Sequence, residues 1–295
     1  MSSNGPGDGF VNIDKPRGWT SFQTVKKIRF LSGQKKAGHA GTLDPAAGGV
    51  LVVLLGEACK TSRMFNYMNK EYRALVKLGY KSDTLDGEGN IEKTGEVNIN
   101  SKKAKRVVKS FKGNYIHKVP HYSAKKHNGR TFYDIKRGGG VPPERKQKSK
   151  INNIEYLKKT ANEIEIYVKC SSGTYIRTLA YDIARKLGTD GYLKKLTRIK
   201  VGEFDLKNSA RPEKKSWKKG FKNLDMGLKS MDYVVIKKSA ARDVKNGINF
   251  SSEDILKKRR ETGNSVVSVF SENFTLTALA EKEGARYNLK RVFNR

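Results

Sequence analysis

Apolar residues in this chain follow two rhythms, and the places where one gives way to the other mark its elements. Residues 9–14, GFVNID, read as a short strand closed by the turn formers Lys15-Pro16-Arg17-Gly18. Phe22, Val25, Ile28 and Leu31 then recur at helical spacing. Thr20 and Ser21 suit the N-cap and Gly33 suits the stop, so a helix follows. The stretch AGHAGTLDPAAGG at 37–49 keeps neither period and predicts a loop, which runs into the buried-strand pattern VLVVLLG. KEYRALVKLGY at 70–80 predicts a strand, SDTLDGEGN a turn-rich connection, and SKKAKRVVKSFKG at 101–113 a basic helix. Ile164, Ile166, Val168 and Cys170 alternate strictly, whereas Ile176, Leu179, Ile183 and Leu187 keep helical spacing up to Gly188, so a strand feeds a helix.

From His117 to Lys150 ten Lys or Arg accompany two acidic residues, and Gly138-Gly139-Gly140 with Pro142-Pro143 interrupt any regular element. This predicts a long basic excursion, which in a compact domain usually serves function. The polar run RPEKKSWKKGF at 211–221 approaches a boundary, dividing the chain into domains 1–230 and 231–295. The second holds a short helix ending at Gly247 and three strand-like runs, NSVVSVF, TLTALA and RYNLKRVF. So small a module buries little surface alone and is expected to dock on the first domain.

Composition narrows the partners. Among 295 residues, 61 Lys and Arg against 29 Asp and Glu give +32, while 36% hydrophobic content suffices for a packed core. Such a charge, spread along a groove, replaces counterions on a phosphate backbone, so nucleic acid is the expected partner. No apolar run approaches the roughly 18 residues of a membrane-spanning helix, and MSSNGPGDGF lacks the features of a secretory signal. The expectation is a cytoplasmic chain without a membrane role. Cys59 and Cys170 lie far apart in apolar runs and read as reduced core residues.

Several chemistries fall away on motif grounds. Gly33 to Gly38 has phosphate-loop glycine spacing but continues with His39, and Asp86-Gly87-Glu88-Gly89-Asn90 lacks the glycine and glutamate of a calcium loop. Four histidines, His39, His117, His121 and His127, are too few and too far from any cysteine to read as a metal site, so neither a metal nor another cofactor is expected. What remains is GHAGTLDP at 38–45, which locks Asp44 between glycines and a proline ahead of a buried strand. Asp44 reads either as a rigid, accessible carboxylate or as a turn residue bonded to its own backbone. His39 alone reads as structural.

GHAGTLDPAAGGVL resembles the G-H-T-G-T-L-D-P signature of the TruB-type tRNA pseudouridine synthases. Further segments agree in order: GFVNIDKPRGWTS at 9–21, KEYRALVKLGYKSDTLDGEG at 70–89 with its D-T-x-D loop, and VPHYSAKKHNG at 119–129. CSSGTYIRTLAYDIARKLG at 170–188 and YLKKLTRIKVGEF at 192–204 follow, and the segment from 231 is similar to the family's small RNA-binding domain. The resemblance implies an α/β (α+β) pseudouridine synthase fold with a mixed β-sheet core and active-site cleft, plus a small C-terminal PUA-like domain.

It also implies an activity: isomerisation of uridine 55 in the T-loop of tRNA, with Asp44 catalytic and Arg177 paired with it to keep it ionised and oriented. Tyr72 matches the active-site tyrosine, Tyr175 and Leu196 match residues lining the base pocket, and His39 matches one that holds the target nucleotide. Lys15, Lys125, Lys126, Arg130 and Arg137 are the expected RNA contacts, the last four on the basic insertion 117–150. Taken singly, Arg177 reads also as a phosphate ligand, Tyr72 as strand packing and Leu196 as core. The implied partner is the T-arm of tRNA, with no cofactor, no protein partner and a monomeric chain. Two rivals stand beside this reading: a guide-RNA-dependent rRNA synthase, and a non-catalytic RNA-binding or RNA-chaperone protein. Ala40, Gly48 and His121 depart from the family pattern without removing a catalytic group.

Overall fold

The computed structural model describes residues 7–228, 231–259 and 265–293. They fall into two compact units. The chain up to Asp44, Gly49–Met68 and the chain from Val201 on form the first, and Pro45–Gly48 with Asn69–Lys200 form the second.

In the first unit the strand Gly9–Lys15 runs antiparallel to Gly48–Leu55, with Ile13 opposite Leu51. All of Gly48–Leu55 is buried, which is why its sequence is apolar without alternation. The expected helix spans Ser21–Ser32: Thr20 and Gln23 form a capping box, and Gly33 ends it in the left-handed region at φ +70°. Val25 and Ile28 pack with Val11, Ile13, Leu51, Val53 and Trp217. One expectation fails here, because Ala37–His39 is a strand paired with Val53–Leu55. Three residues are too few to show a period, and the pairing is supplied by a partner distant in sequence.

Beyond residue 231 a six-stranded sheet forms in the order Phe250–Ser251, Arg286–Val292, Leu276–Glu283, Val266–Phe270, Tyr233–Ile236, Ile255–Arg259. Tyr233–Ile236 runs parallel to Val266–Phe270 and antiparallel to Ile255–Arg259, so the sheet is mixed. The helix Lys238–Lys245 covers one face through Ala240, Ala241 and Val244. The other side shares a core with the N-terminal strands, in which Phe10, Val52, Leu54 and Phe65 cluster with Tyr233, Phe270, Leu276 and Phe293. Gly227 permits the closest approach there, since a Cβ on it would stand 2.1 Å from the Phe10 ring. The expected boundary at residue 230 lies outside the described residues.

The second unit is a sheet in the order Gly191–Val201, Lys70–Leu78, Glu163–Cys170, Lys146–Lys159, Gly113–Lys118. Its last three pairings are antiparallel, with Val76 opposite Ile164 and Tyr72 opposite Val168. The helices Ser101–Lys109 and Ile176–Leu187 pack on it, burying Ala104, Val107 and Val108 from one and Leu179, Ala180 and Ile183 from the other. The basic excursion is more regular than its composition suggests. Lys126–His127 and Arg130–Thr131 form a hairpin turned at Asn128 (φ 48°) and Gly129 (φ 80°). Thr131 and Asp134 then cap the helix Phe132–Arg137, whose Phe132 is buried. Lys146–Lys159 is one long strand that begins inside the segment. No helix among the described residues is long and apolar enough to cross a membrane.

Candidate active site

The loop that carries Asp44 is fixed from both sides by the first unit. Ala40 N–H donates to Val52 O at 2.9 Å, and Gly41 turns the chain through φ +93°. Ser21 Oγ donates to Leu43 O at 3.0 Å and accepts from Leu43 N–H at 2.9 Å, so the helix start binds both backbone groups of the residue before Asp44. Leu43 is buried, Asp44 is half-buried, and Pro45 restricts Asp44 to extended backbone. His39 ends the short strand opposite Val53 and is half-buried.

Lys15 departs from its expected role. It is 1% exposed, and Nζ donates to the carbonyls of Pro16 (3.0 Å) and Trp19 (2.5 Å). Its ammonium pins the turn that leads into the helix rather than facing an RNA phosphate. The strand pattern explains this, since Lys15 closes a strand whose other positions are nearly all buried.

Tyr72, Tyr175, Arg177 and Leu196 belong to the second unit. Tyr72 and Leu196 are buried on the strands Lys70–Leu78 and Gly191–Val201. Tyr175 is the N-cap residue of Ile176–Leu187, and its N–H points to His117 Nε2 at 3.5 Å. The buried Arg177 guanidinium donates to Thr84 O at 3.2 Å and Tyr122 O at 2.7 Å, and meets Asp86 Oδ2 at 3.5 Å. Asp86 is itself buried and saturated: its carboxylate accepts from Thr84 Oγ1 (2.6 Å) and Glu88 N–H (3.0 Å), while its carbonyl accepts from Ser82 Oγ (2.6 Å). A buried ion pair is tolerable only with such supplementary bonds.

Sequence reasoning missed Asp86 as a partner of Arg177. Its signal was the D-T-x-D loop, whose second carboxylate turns inward onto the helix that follows GTY. It missed a second cluster as well. The His117 ring stacks on Tyr115 with centroids 4.6 Å apart and meets Tyr175 edge-on at 5.9 Å. Tyr115 OH donates to Asp182 Oδ2 at 2.6 Å. Burial holds the imidazole below the usual histidine range and pushes the Asp182 carboxyl up. A neutral imidazole suits an Nε2 that accepts.

Of the basic residues on the excursion, Lys126, Arg130 and Arg137 are exposed on the hairpin and its helix, and Lys125 is half-exposed. They present cations on an ordered platform anchored by Phe132. Chemically, then, the first unit offers a fixed carboxylate. The second offers a fixed guanidinium, one tyrosine on a strand and another at a helix start, and a cationic hairpin.

The comparisons with known proteins fit this inventory. The family model described as TruB family pseudouridylate synthase (N terminal domain) matches residues 29–176. The tRNA pseudouridine synthase B of Clostridium tetani (strain Massachusetts / E88) is 36% identical over 270 residues, 90% of this chain and 93% of its own length. That of Aquifex aeolicus (strain VF5) is 39% identical over 208 residues, 70% of this chain and 72% of its own. Among solved structures, a chain from the crystal structure of a Cbf5-Nop10-Gar1 complex superposes with a TM-score of 0.75 at 24% identity, covering 96% of this chain and 84% of that one. That likeness establishes the pseudouridine synthase fold, with the mixed C-terminal sheet as its PUA-like part. Family model, relatives and fold agree, and the chain belongs to the TruB family of pseudouridylate synthases.

Proposed function

We propose that this chain isomerises uridine 55 in the T-loop of tRNA to pseudouridine, acting in the cytoplasm as a monomer without guide RNA, protein partner or cofactor. The observation that carries the reading is the Asp44 loop: a half-buried carboxylate whose preceding residue is bonded through both backbone groups. It occurs in a chain whose relative named tRNA pseudouridine synthase B matches over nine-tenths of both lengths.

The reaction breaks the bond from the sugar C1′ to uracil N1 and forms one from C1′ to uracil C5, with the C5 proton given up and N1 protonated. No water is added and no electrons are exchanged, so one carboxylate near C1′ is the minimum equipment. Asp44 fills that role, and the Arg177 guanidinium keeps it ionised and oriented. The target base must leave the stack at a cost of a few kcal/mol. The Tyr72 ring provides a face for it, Tyr175 and Leu196 line its pocket, and His39 holds the extruded nucleotide. Lys125, Lys126, Arg130 and Arg137 take phosphates of the T-arm, and the module 231–295 serves as a further RNA-binding domain. Lys15 acts indirectly, by fixing the turn before the helix that pins Leu43.

Purified wild type and Asp44→Ala are incubated with an unmodified tRNA transcript, and pseudouridine is mapped by carbodiimide-dependent reverse-transcription stops. A single T-loop stop with wild type only is the expected result. Product from Asp44→Ala near the wild-type level overturns the catalytic assignment, and binding without product by either protein favours a guided enzyme or an RNA-binding protein.

A further inference from the structure

The helix Ser21–Ser32 carries a face that the uridine chemistry does not use. Phe22 and Phe30 are 71% and 80% exposed, although Val25 and Ile28 of the same helix are buried. At 3.6 residues per turn, Phe22, Lys26, Arg29 and Phe30 share an arc of about 100°, and the two rings stand about 12 Å apart along the axis. All four are exposed, and the helix, SFQTVKKIRFLS, contains no acidic residue. Two rings thus bracket two cations with no carboxylate on their own element to compensate them.

That combination selects its partner by chemistry. Duplex RNA presents phosphates and sugars, for which cations suffice and exposed rings are idle. Unpaired nucleotides present a base face for each ring and a phosphate for each cation. The position of the face points to the source. Phe22 directly follows Ser21, whose hydroxyl holds both backbone groups of Leu43, so the face begins at the loop that carries Asp44. An RNA delivering a nucleotide to that loop brings its neighbouring segments to this helix.

We propose that the face formed by Phe22, Lys26, Arg29 and Phe30 binds unpaired nucleotides of the substrate tRNA that lie outside the T-arm stem-loop. The identity of that RNA rests on the function proposed above. Phe22 and Phe30 stack on bases, and Lys26 and Arg29 neutralise the phosphates between them.

The test compares wild type, F22S/F30S and K26Q/R29Q, in the full chain, for affinity toward a whole tRNA transcript and an isolated T-arm stem-loop at several salt concentrations. Both variants alter exposed side chains, and equal thermal midpoints check that the fold is intact. F22S/F30S is expected to weaken whole tRNA about a hundredfold, the loss of two stacking contacts of roughly tenfold each, and to leave stem-loop affinity and stem-loop turnover unchanged. K26Q/R29Q is expected to flatten the salt slope for whole tRNA by about 1.4 and to leave that for the stem-loop unaltered. Equal losses on both RNAs, or none on either, overturn the proposal. Self-association of wild type that F22S/F30S abolishes also overturns it and assigns the face to a second copy. If wild type makes no pseudouridine and F22S/F30S still loses whole-tRNA affinity selectively, the proposed activity fails and this surface stands.

Discussion

Asp44 and Arg177 are held by different kinds of matter. Around Asp44 the first unit supplies backbone hydrogen bonds, one serine hydroxyl and apolar side chains such as Ala40 and Leu43, next to a core of phenylalanine, valine and leucine. Around Arg177 the second unit supplies carbonyls and a saturated buried carboxylate, and it buries Lys70 and Arg198 as well. A carboxylate that must stay accessible is aimed by fixing the chain that leads into it. A guanidinium is aimed by bonding its own nitrogens, because five donors in a rigid fork define an orientation that no backbone constraint matches.

If charge holds the second unit, removing one member of its buried pair has the largest effect. Arg177→Met leaves Asp86 buried and unpaired and frees the carbonyls of Thr84 and Tyr122. We expect a loss of about 3–5 kcal/mol in chemical denaturation, together with loss of turnover. A stability loss under 1 kcal/mol breaks the comparison.

Lys70 sharpens it through pH. Burial, aided by the Arg198 charge, lowers its pKa from 10.5 to about 8. A base whose folded pKa lies below its unfolded value takes up a proton on unfolding, so its penalty is complete below pH 8 and is relieved as pH rises from about 8 toward 10.5. Lys70→Met should stabilise the chain at pH 7 by roughly 3 kcal/mol at most, with the gain shrinking at pH 9 and above. A gain independent of pH means that packing, not ionisation, accounts for it.

Ser21→Ala tests the first unit with the smallest expected effect. It strips both Leu43 backbone groups of their partner at a cost of about 1–2 kcal/mol. Turnover should fall with KM for the T-arm little changed, because the carboxylate loses its aim and the RNA surface is untouched. An unchanged kcat means the Asp44 loop is positioned by its apolar packing alone.

The same contrast decides what could be read before the fold was known. The helix Ser21–Ser32 was legible to its caps, and Glu163–Cys170 and Ile176–Leu187 to their bounds within a residue or two, because periodicity and stop residues are local properties. The strand Lys146–Lys159 was not, since KQKSKINNIEYLKK shows little apolar alternation and depends on Gly113–Lys118 and Glu163–Cys170 for its hydrogen bonds. The Asn128-Gly129 hairpin carried its signal openly, and the surrounding charge masked it. Lys15 misled because a buried lysine satisfied by carbonyls looks, in sequence, like any other cation. Asp44, Tyr72, Tyr175, Arg177 and Leu196 emerged from motifs, whereas Asp86, Tyr115, His117 and Asp182 act through partners that only the fold reveals.

The interleaved make-up of the first unit sets a timetable for synthesis. The second unit draws nearly all of its residues from one continuous stretch, 69–200, and has its full complement once that stretch has left the ribosome. The first cannot close then, because Phe10 and Phe65 share their core with Phe270, Leu276 and Phe293. The segment that carries Asp44 is made before the second unit and before the residues from Val201 on that complete its own. Until those residues are made, the face of Gly48–Leu55 that carries Val50, Val52 and Leu54 lacks much of its core and is open to holdase chaperones and to aggregation alike.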